Sequence, residues 1–159
     1  MIFFYFFIIR KPVAWNYWQA LDIPGWGLIE SNIQDKQIFQ ASLKYFVLSQ
    51  YTRHIRPGMF ILTCQDQFSS NFSAAFDNST STLVLICVNQ DQNEIDFSFQ
   101  SSNFFLFLGV HKRWTTSFVP SSNVLHRLYE DVEIRDHRSF AFPLPPQSIT
   151  TFSISAINK

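Results

Sequence analysis

The sequence predicts a mainly β protein, an antiparallel β-sandwich preceded by one strand and one helix. Three observations carry this. From Met59 onward, strand-like runs are separated by Asn, Asp, Ser and Pro at intervals of about ten residues, the spacing of an all-β sandwich. One of them, TLVLICVN at Thr82–Asn89, is almost wholly apolar, as befits a central strand covered on both faces. Before them, Lys36–Ile55 carries its apolar residues at a helical period.

Taken in order, Met1–Lys11 (MIFFYFFIIRK) has eight consecutive apolar residues after Met1. That is short of the roughly 20 needed to cross a bilayer. No basic segment precedes the run and no small-residue cleavage site follows it before Arg10 and Lys11, so it is a poor secretory signal. A weak signal or anchor, a buried parallel strand and a non-native leader are all open, and the leader is the favoured reading. Val13–Leu21 reads as a strand with large side chains on both faces: Val13, Trp15 and Tyr17 on one, Asn16 and Trp18 on the other. A strand covered on both sides fits a barrel wall with an outer helix. Pro24-Gly25-Trp26-Gly27 is a turn, and Leu28-Ile29 a short strand in that loop.

The Lys36–Ile55 helix places Phe39, Leu43, Phe46, Val47 and Tyr51 on one face, with Asp35 as N-cap and Pro57-Gly58 as its stop. The expected strands then run Met59–Thr63, Ala74–Asp77, Thr82–Asn89, Glu94–Phe99, Phe105–Thr115, Leu125–Arg135, Ser139–Pro143 and Ser148–Ala156. The last alternates, with Phe152 and Ile154 inward, and reads as half-buried. Residues 1–11, 12–57 and 58–159 are thus expected to be leader, β/α unit and sandwich.

The 159 residues are 47% hydrophobic, enough for a core, but only 15% charged, below the usual proportion of about a quarter. Twelve basic and twelve acidic residues cancel, so no electrostatic footprint for nucleic acid or an anionic membrane is present. The polar, weakly charged composition and two sequons, at Asn71 and Asn78, fit a secreted glycoprotein. Cys64 and Cys87 both lie in apolar runs. They pair only if those strands are neighbours, and two buried thiols is the favoured alternative.

No Cys/His cluster has metal-ligand spacing, so neither a metal nor a cofactor is expected. Arg53, His54 and Arg56 suggest either an anion site or, as the favoured reading, positive groups near a helix C-terminus that hydrogen-bond across the junction to the sandwich. His111, His126 and His137 read as surface strand residues, and Asp77, Asp91, Asp131 and Asp136 as turn or strand-end residues. On pattern alone Trp15 and Trp18 read as core.

The segments AWNYWQALD, GWGLI, KYFVLSQYTRHIRPGM, AAFD, TLVLICVN and SITTFSI, in this order, resemble the C-terminal end of glycoside hydrolase family 30, in its endo-β-1,6-galactanase branch. The resemblance covers about Val13 to Ile154. It implies that Val13–Leu21 and Lys36–Ile55 are the last strand and helix of a (β/α)8 barrel otherwise absent, and that a sandwich follows. It also implies that Trp18 lines the sugar pocket, that Gln19 and Asp22 lie at its rim, and that Trp26 extends the platform. The family's retaining chemistry uses two glutamates about 5 Å apart, after the fourth and seventh barrel strands. Neither has a counterpart here: Glu30, Glu94, Glu130 and Glu133 all fall elsewhere. The resemblance therefore implies a polysaccharide substrate for a full-length secreted enzyme and no catalysis by this chain alone, with an accessory carbohydrate-binding or purely structural sandwich as the alternatives. The apolar surfaces of a lone β/α unit predict poor solubility.

Overall fold

The computed structural model describes residues 16–32, 34–63, 71–119 and 121–158. The expectations for Met1–Lys11, for the start of the Val13–Leu21 strand with Trp15, and for Cys64 lie outside the described residues. The elements are β1 (Leu21–Asp22), β2 (Ile29–Asn32), β3 (Gln37–Ala41), α1 (Leu43–Thr52), β4 (Phe60–Leu62), β5 (Phe72–Asp77), β6 (Thr82–Asn89), β7 (Ile95–Gln100), β8 (Phe104–Leu106), β9 (Gly109–Ser117), β10 (Arg127–Ile134), β11 (Ser139–Leu144) and β12 (Ser148–Asn158).

The mainly β class holds. A seven-stranded sheet runs β10-β9-β12-β6-β5-β4, with β8 also paired to β12, and a two-stranded layer is made by β11 and β7. Period-two alternation divides β6 between two cores. Leu83, Leu85 and Cys87 face the β7–β11 layer, where they meet Phe140, Leu144, Phe152 and Ile154. Val84, Ile86 and Val88 face the other way, onto Tyr51 of α1, with Val47, Ile55 and Met59 packed beside it. The unbroken apolarity of TLVLICVN is the sum of these two alternating sets.

Polar groups finish the core. Asn89 Nδ2 donates to the carbonyls of Asn93 (2.9 Å), Leu144 (3.1 Å) and Pro145 (2.9 Å), which fixes the turn after β6 against the end of β11. Arg113 is buried and makes a two-pronged ion pair with Asp131, Nε to Oδ1 at 2.7 Å and Nη2 to Oδ2 at 2.6 Å. Its guanidinium carbon lies 3.9 Å from the centre of the Tyr129 ring and 4.8 Å from that of Phe142. Asp131 is therefore the partner of a buried cation and not merely a strand-end residue.

Four sequence expectations change. Residues 16–20 are irregular, and among the described residues of the strand expected to end at Leu21 only Leu21 pairs, continuing into Asp22, in parallel with Ile29–Glu30 of β2. Lys36–Ile55 is not one helix. Lys36 sits at φ 55°, outside the right-handed helical region, and Gln37–Ala41 pairs antiparallel with β2. Asp35 belongs to the tight turn between those strands, where Asn32 Nδ2 donates to its Oδ2 at 2.5 Å. The helix starts at Leu43 with Ser42 as N-cap, and Ser42 Oγ donates to the Leu28 carbonyl at 2.9 Å, tying the helix start to the loop before β2.

Phe105–Thr115 is broken at Phe107–Leu108. β12 has Ser153 opposite Lys112 but Ala156 opposite Leu106, and the break takes up the excess residues, with Gly109 at φ 126° just after it. The last strand keeps Phe152 and Ile154 inward as expected, but it is buried on both faces. Ile149 and Thr151, on the side opposite the aromatic core, are fully enclosed because α1 covers that side.

Candidate functional site

The residues singled out for binding gather around β1 and the turn between β1 and β2. Gln19 stands at φ 70° immediately before β1. Asp22 ends β1, its Oδ1 accepting from the Ile23 amide at 2.7 Å and its carbonyl accepting from Ser31 Oγ at 3.3 Å. The turn closes with Trp26 N donating to the Ile23 carbonyl at 3.1 Å, and Tyr17 Oη donates to the Trp26 carbonyl at the same distance. Lys44 of α1 donates to the Gly25 carbonyl, so the turn is also held from the helix side. At Gly27 an added Cβ would lie 2.6 Å from Asp22 N and 2.7 Å from the Ile29 carbonyl oxygen, so only glycine lets the two strands approach this closely.

This scaffold leaves its aromatic rings outside. Trp18 is 83% exposed and Trp26 69% exposed. The reading of Trp18 as core on pattern alone is thus corrected, since β1 begins after it and packs nothing over it. Leu21, Ile23, Ile38, Phe39 and Leu43 are exposed on the same unit, a contiguous stretch of sequence rich in uncovered apolar side chains. Trp18 and Gln19 precede β1, Asp22 ends it and Trp26 lies in the turn that follows, so two exposed indoles, one carboxylate and one amide fall within a short stretch of chain. That combination suits a sugar: rings for its C–H faces, polar atoms for its hydroxyls.

Three of the four glutamates have described side-chain partners. Glu30 accepts from Gln40 Nε2 at 3.4 Å, Glu130 pairs with Lys112 at 3.3 Å, and Glu133 pairs with Arg135 at 2.6 Å. The hydrogen bond and charge of Arg135 hold the Glu133 carboxyl below its ordinary value, toward a permanent anion and away from general-acid work. Among the described residues no group of three or more His, Cys, Asp or Glu side chains is placed to hold a metal ion. Among them, too, no helix is long and apolar enough to cross a membrane.

The second notable cluster escaped sequence reasoning. His54, just past α1, and His126, before β10, meet with their Nε2 atoms 3.1 Å apart. The His54 ring lies 4.3 Å from Trp114 of β9, centroid to centroid. A hydrogen bond from the Arg53–Arg56 segment to the sandwich is made by His54, which burial keeps neutral and not positive as expected, while Arg56 Nη1 donates to the Thr52 carbonyl at 2.6 Å, at the helix end. His126 is not a surface strand residue: it is half-buried, stands at φ 50°, and donates its amide to Thr116 Oγ1 at 2.9 Å. Of the other two, His111 Nε2 and His137 Nδ1 each sit 2.8 Å from a backbone carbonyl, those of Phe107 and Leu106.

Comparison with known proteins places the fold. The chain is 35% identical over 148 residues to an endo-β-1,6-galactanase from Hypocrea rufa, a match that covers 92% of this chain and 30% of that protein. The chain thus spans under a third of the length of the curated relative it matches. Among solved structures, a family 30 subfamily 8 xylanase from Clostridium acetobutylicum superposes with a TM-score of 0.62 at 22% identity, covering 82% of this chain and 31% of that one. A family 30 endoxylanase from Clostridium papyrosolvens gives 0.59 at 21% identity, over 79% of this chain and 30% of that one. The catalytic domain of a family 30 xylanase from Talaromyces cellulolyticus gives 0.58 at 17% identity, over 84% and 28%. No family model matches the chain.

Proposed function

Because this chain is a homologue of glycoside hydrolase family 30 enzymes, matched over about 30% of the galactanase, we propose that it is the C-terminal part of a secreted retaining glycosidase acting on β-1,6-galactan. The observation that carries this reading is the 35% identity sustained over 148 residues with the galactanase. In it, β1 to α1 are what remains of the last β/α unit of a barrel, and β4 to β12 form the sandwich beside it. Trp18 stacks on the sugar at the cleavage point, Gln19 and Asp22 bind hydroxyls at the rim, and Trp26 extends the platform. The two carboxylates that retaining hydrolysis needs come from the part of the enzyme that this chain does not match. Secretion and N-glycans on Asn71 and Asn78 belong to the same reading, and Asn78 stands exposed in the turn between β5 and β6.

The purified chain is expected to release no reducing ends from β-1,6-galactan. A hybrid that joins it to the preceding part of the Hypocrea rufa enzyme is expected to do so. In that hybrid, Trp18→Ala should lower kcat/KM about tenfold, the equivalent of ~1.4 kcal/mol of lost ring stacking. Hydrolysis by the chain alone, or a folded hybrid without activity, would overturn the proposal.

A second reading, a carbohydrate-binding unit without catalysis, is favoured by the exposure of both indoles. It predicts that galactan oligosaccharides quench tryptophan fluorescence of the isolated chain and that Trp26→Ala abolishes the effect. A flat titration of the wild-type chain removes this reading and leaves the first intact.

A further inference from the structure

α1 is the only helix among the described residues, and it sits between two structures. Its first turn is tied to the β1–β3 unit through Ser42 and Lys44. Its inner face, Val47, Gln50 and Tyr51, lies on the seven-stranded sheet. Past its last turn stands His54, whose only described side-chain hydrogen-bond partner is His126, reached across the sheet edge at 3.1 Å. The two rings stack at 28° with centroids 5.2 Å apart, and both lie near Trp114, at 4.3 Å and 6.3 Å.

Two Nε2 atoms at this distance bond only if one carries a proton and the other offers a lone pair. We propose that the His54–His126 pair is an acid-sensitive latch that holds the end of α1 on the seven-stranded sheet while at least one imidazole is neutral, and releases it when both are protonated.

The surroundings give the latch its direction. On the helix side the nearby charge is Arg53, whose Nη2 donates to Tyr45 Oη at 3.4 Å. β9 contributes Trp114 and Thr116, which are uncharged, and β12 contributes Thr151, also uncharged. Beside His126, Arg127 directs its guanidinium over the Tyr129 ring at 5.5 Å. Among the described residues no carboxylate forms an ion pair with either histidine. A doubly protonated pair would therefore set two cations in contact beside a third, with no described anion to share the charge.

Burial, then His126, then Arg53 hold His54 down at about 4, against an ordinary value of 6.5. Burial and Arg53 lower His126 as well. In the unfolded or undocked chain both rings regain ordinary affinity for protons. Between pH 6.5 and about 4 the open state therefore binds more protons than the closed one, so each fall in pH favours opening. The stabilisation is complete above pH 6.5 and lost as pH falls through about 4. The effect would loosen the candidate binding unit from the sandwich without touching Trp18, Gln19, Asp22 or Trp26.

The test compares the full chain with His126→Asn, which tolerates the left-handed backbone, and with His54→Gln, which retains a hydrogen-bonding side chain at the helix end. Between pH 7 and 4.5 the wild-type Tm is expected to fall by about 5 °C more than that of either variant. Parallel Tm–pH profiles for all three would overturn the latch. If both variants fail to fold, the wild type alone decides by hydrogen exchange. The protection factors of the His54 and Ile55 amides, both bonded to the Tyr51 carbonyl, should drop about tenfold or more over that range. Constant protection while both histidines titrate near 6.5 would equally overturn it.

Discussion

Phe152→Ala is expected to cost about 3–5 kcal/mol, a large share of the roughly 5–15 kcal/mol that holds a folded protein together. The ring is fully buried at the middle of β12. It stacks on Phe97 at 5.9 Å and 12°, and meets Phe140 at 5.6 Å and Phe142 at 5.4 Å edge to face. Truncation would leave a cavity bordered by three rings on two different strands of the small layer, and rings of that size cannot collapse into it without leaving their rotamers. The urea midpoint of the variant should fall steeply, or its cooperative transition should vanish. Phe39→Ala is the contrast: Phe39 is 53% exposed on β3, and its loss should shift the same midpoint by no more than about 0.5 kcal/mol equivalent. A Phe152 variant as stable as the Phe39 variant would mean that the β7–β11 layer is not seated on the sheet as described.

Gln50→Ala is the second large effect, at about 2–4 kcal/mol. Gln50 is fully buried between α1 and the sheet. Its Nε2 donates to Thr116 Oγ1 at 2.8 Å, and its Oε1 accepts from Thr151 Oγ1 at 2.7 Å. The same threonine hydroxyl lies 3.2 Å from the Gln50 backbone carbonyl, near the end of a helix whose last carbonyls lack helical partners. Removing the amide takes one hydrogen bond from a buried threonine hydroxyl on each of two neighbouring strands, leaving Thr151 only the Gln50 backbone carbonyl and Thr116 only the His126 amide of the bonds described. The double replacement Gln50→Leu with Thr151→Val takes away both sides of one bond and fills the space, so it should recover more than half of the loss. Equal destabilisation by the single and double variants, measured by denaturant unfolding, would show that volume and not hydrogen bonding docks the helix.

These two residues also mark what was legible in the sequence. Phe152 was readable because period-two alternation places it on the same side as Ile154, and apolar residues repeated on one side of a strand have to be covered. TLVLICVN was readable to the residue because a strand buried on both faces leaves no polar gap. Gln50 was not, since a polar residue in a helix reads as solvent-facing until its partners are known, and Thr116 and Thr151 lie far along the chain. The helix start failed for a related reason. Phe39 fits the helical period by coincidence, and the pairing of β3 with β2 together with the left-handed Lys36 outweighs it. At the candidate site, the turn at Pro24-Gly25-Trp26-Gly27 was legible from its proline and glycines, while the exposure of Trp18 followed from the short β1, which no periodicity announced. His54 and His126 lie 72 residues apart, and two isolated histidines carry no spacing signal at all.

β12 has one further consequence, which concerns the order of assembly. It stands between β6 and β9, yet it follows both in the chain, with Ser155 opposite Thr82 and Ser153 opposite Lys112. The β4–β5–β6 meander and the β9–β10 hairpin can each form from neighbouring residues, but they share no edge until β12 arrives between them. A newly made chain therefore holds two incomplete half-sheets, with the edges of β6 and β9 both open until β12 closes them at once. The same strand that completes the aromatic core also ends that exposed interval.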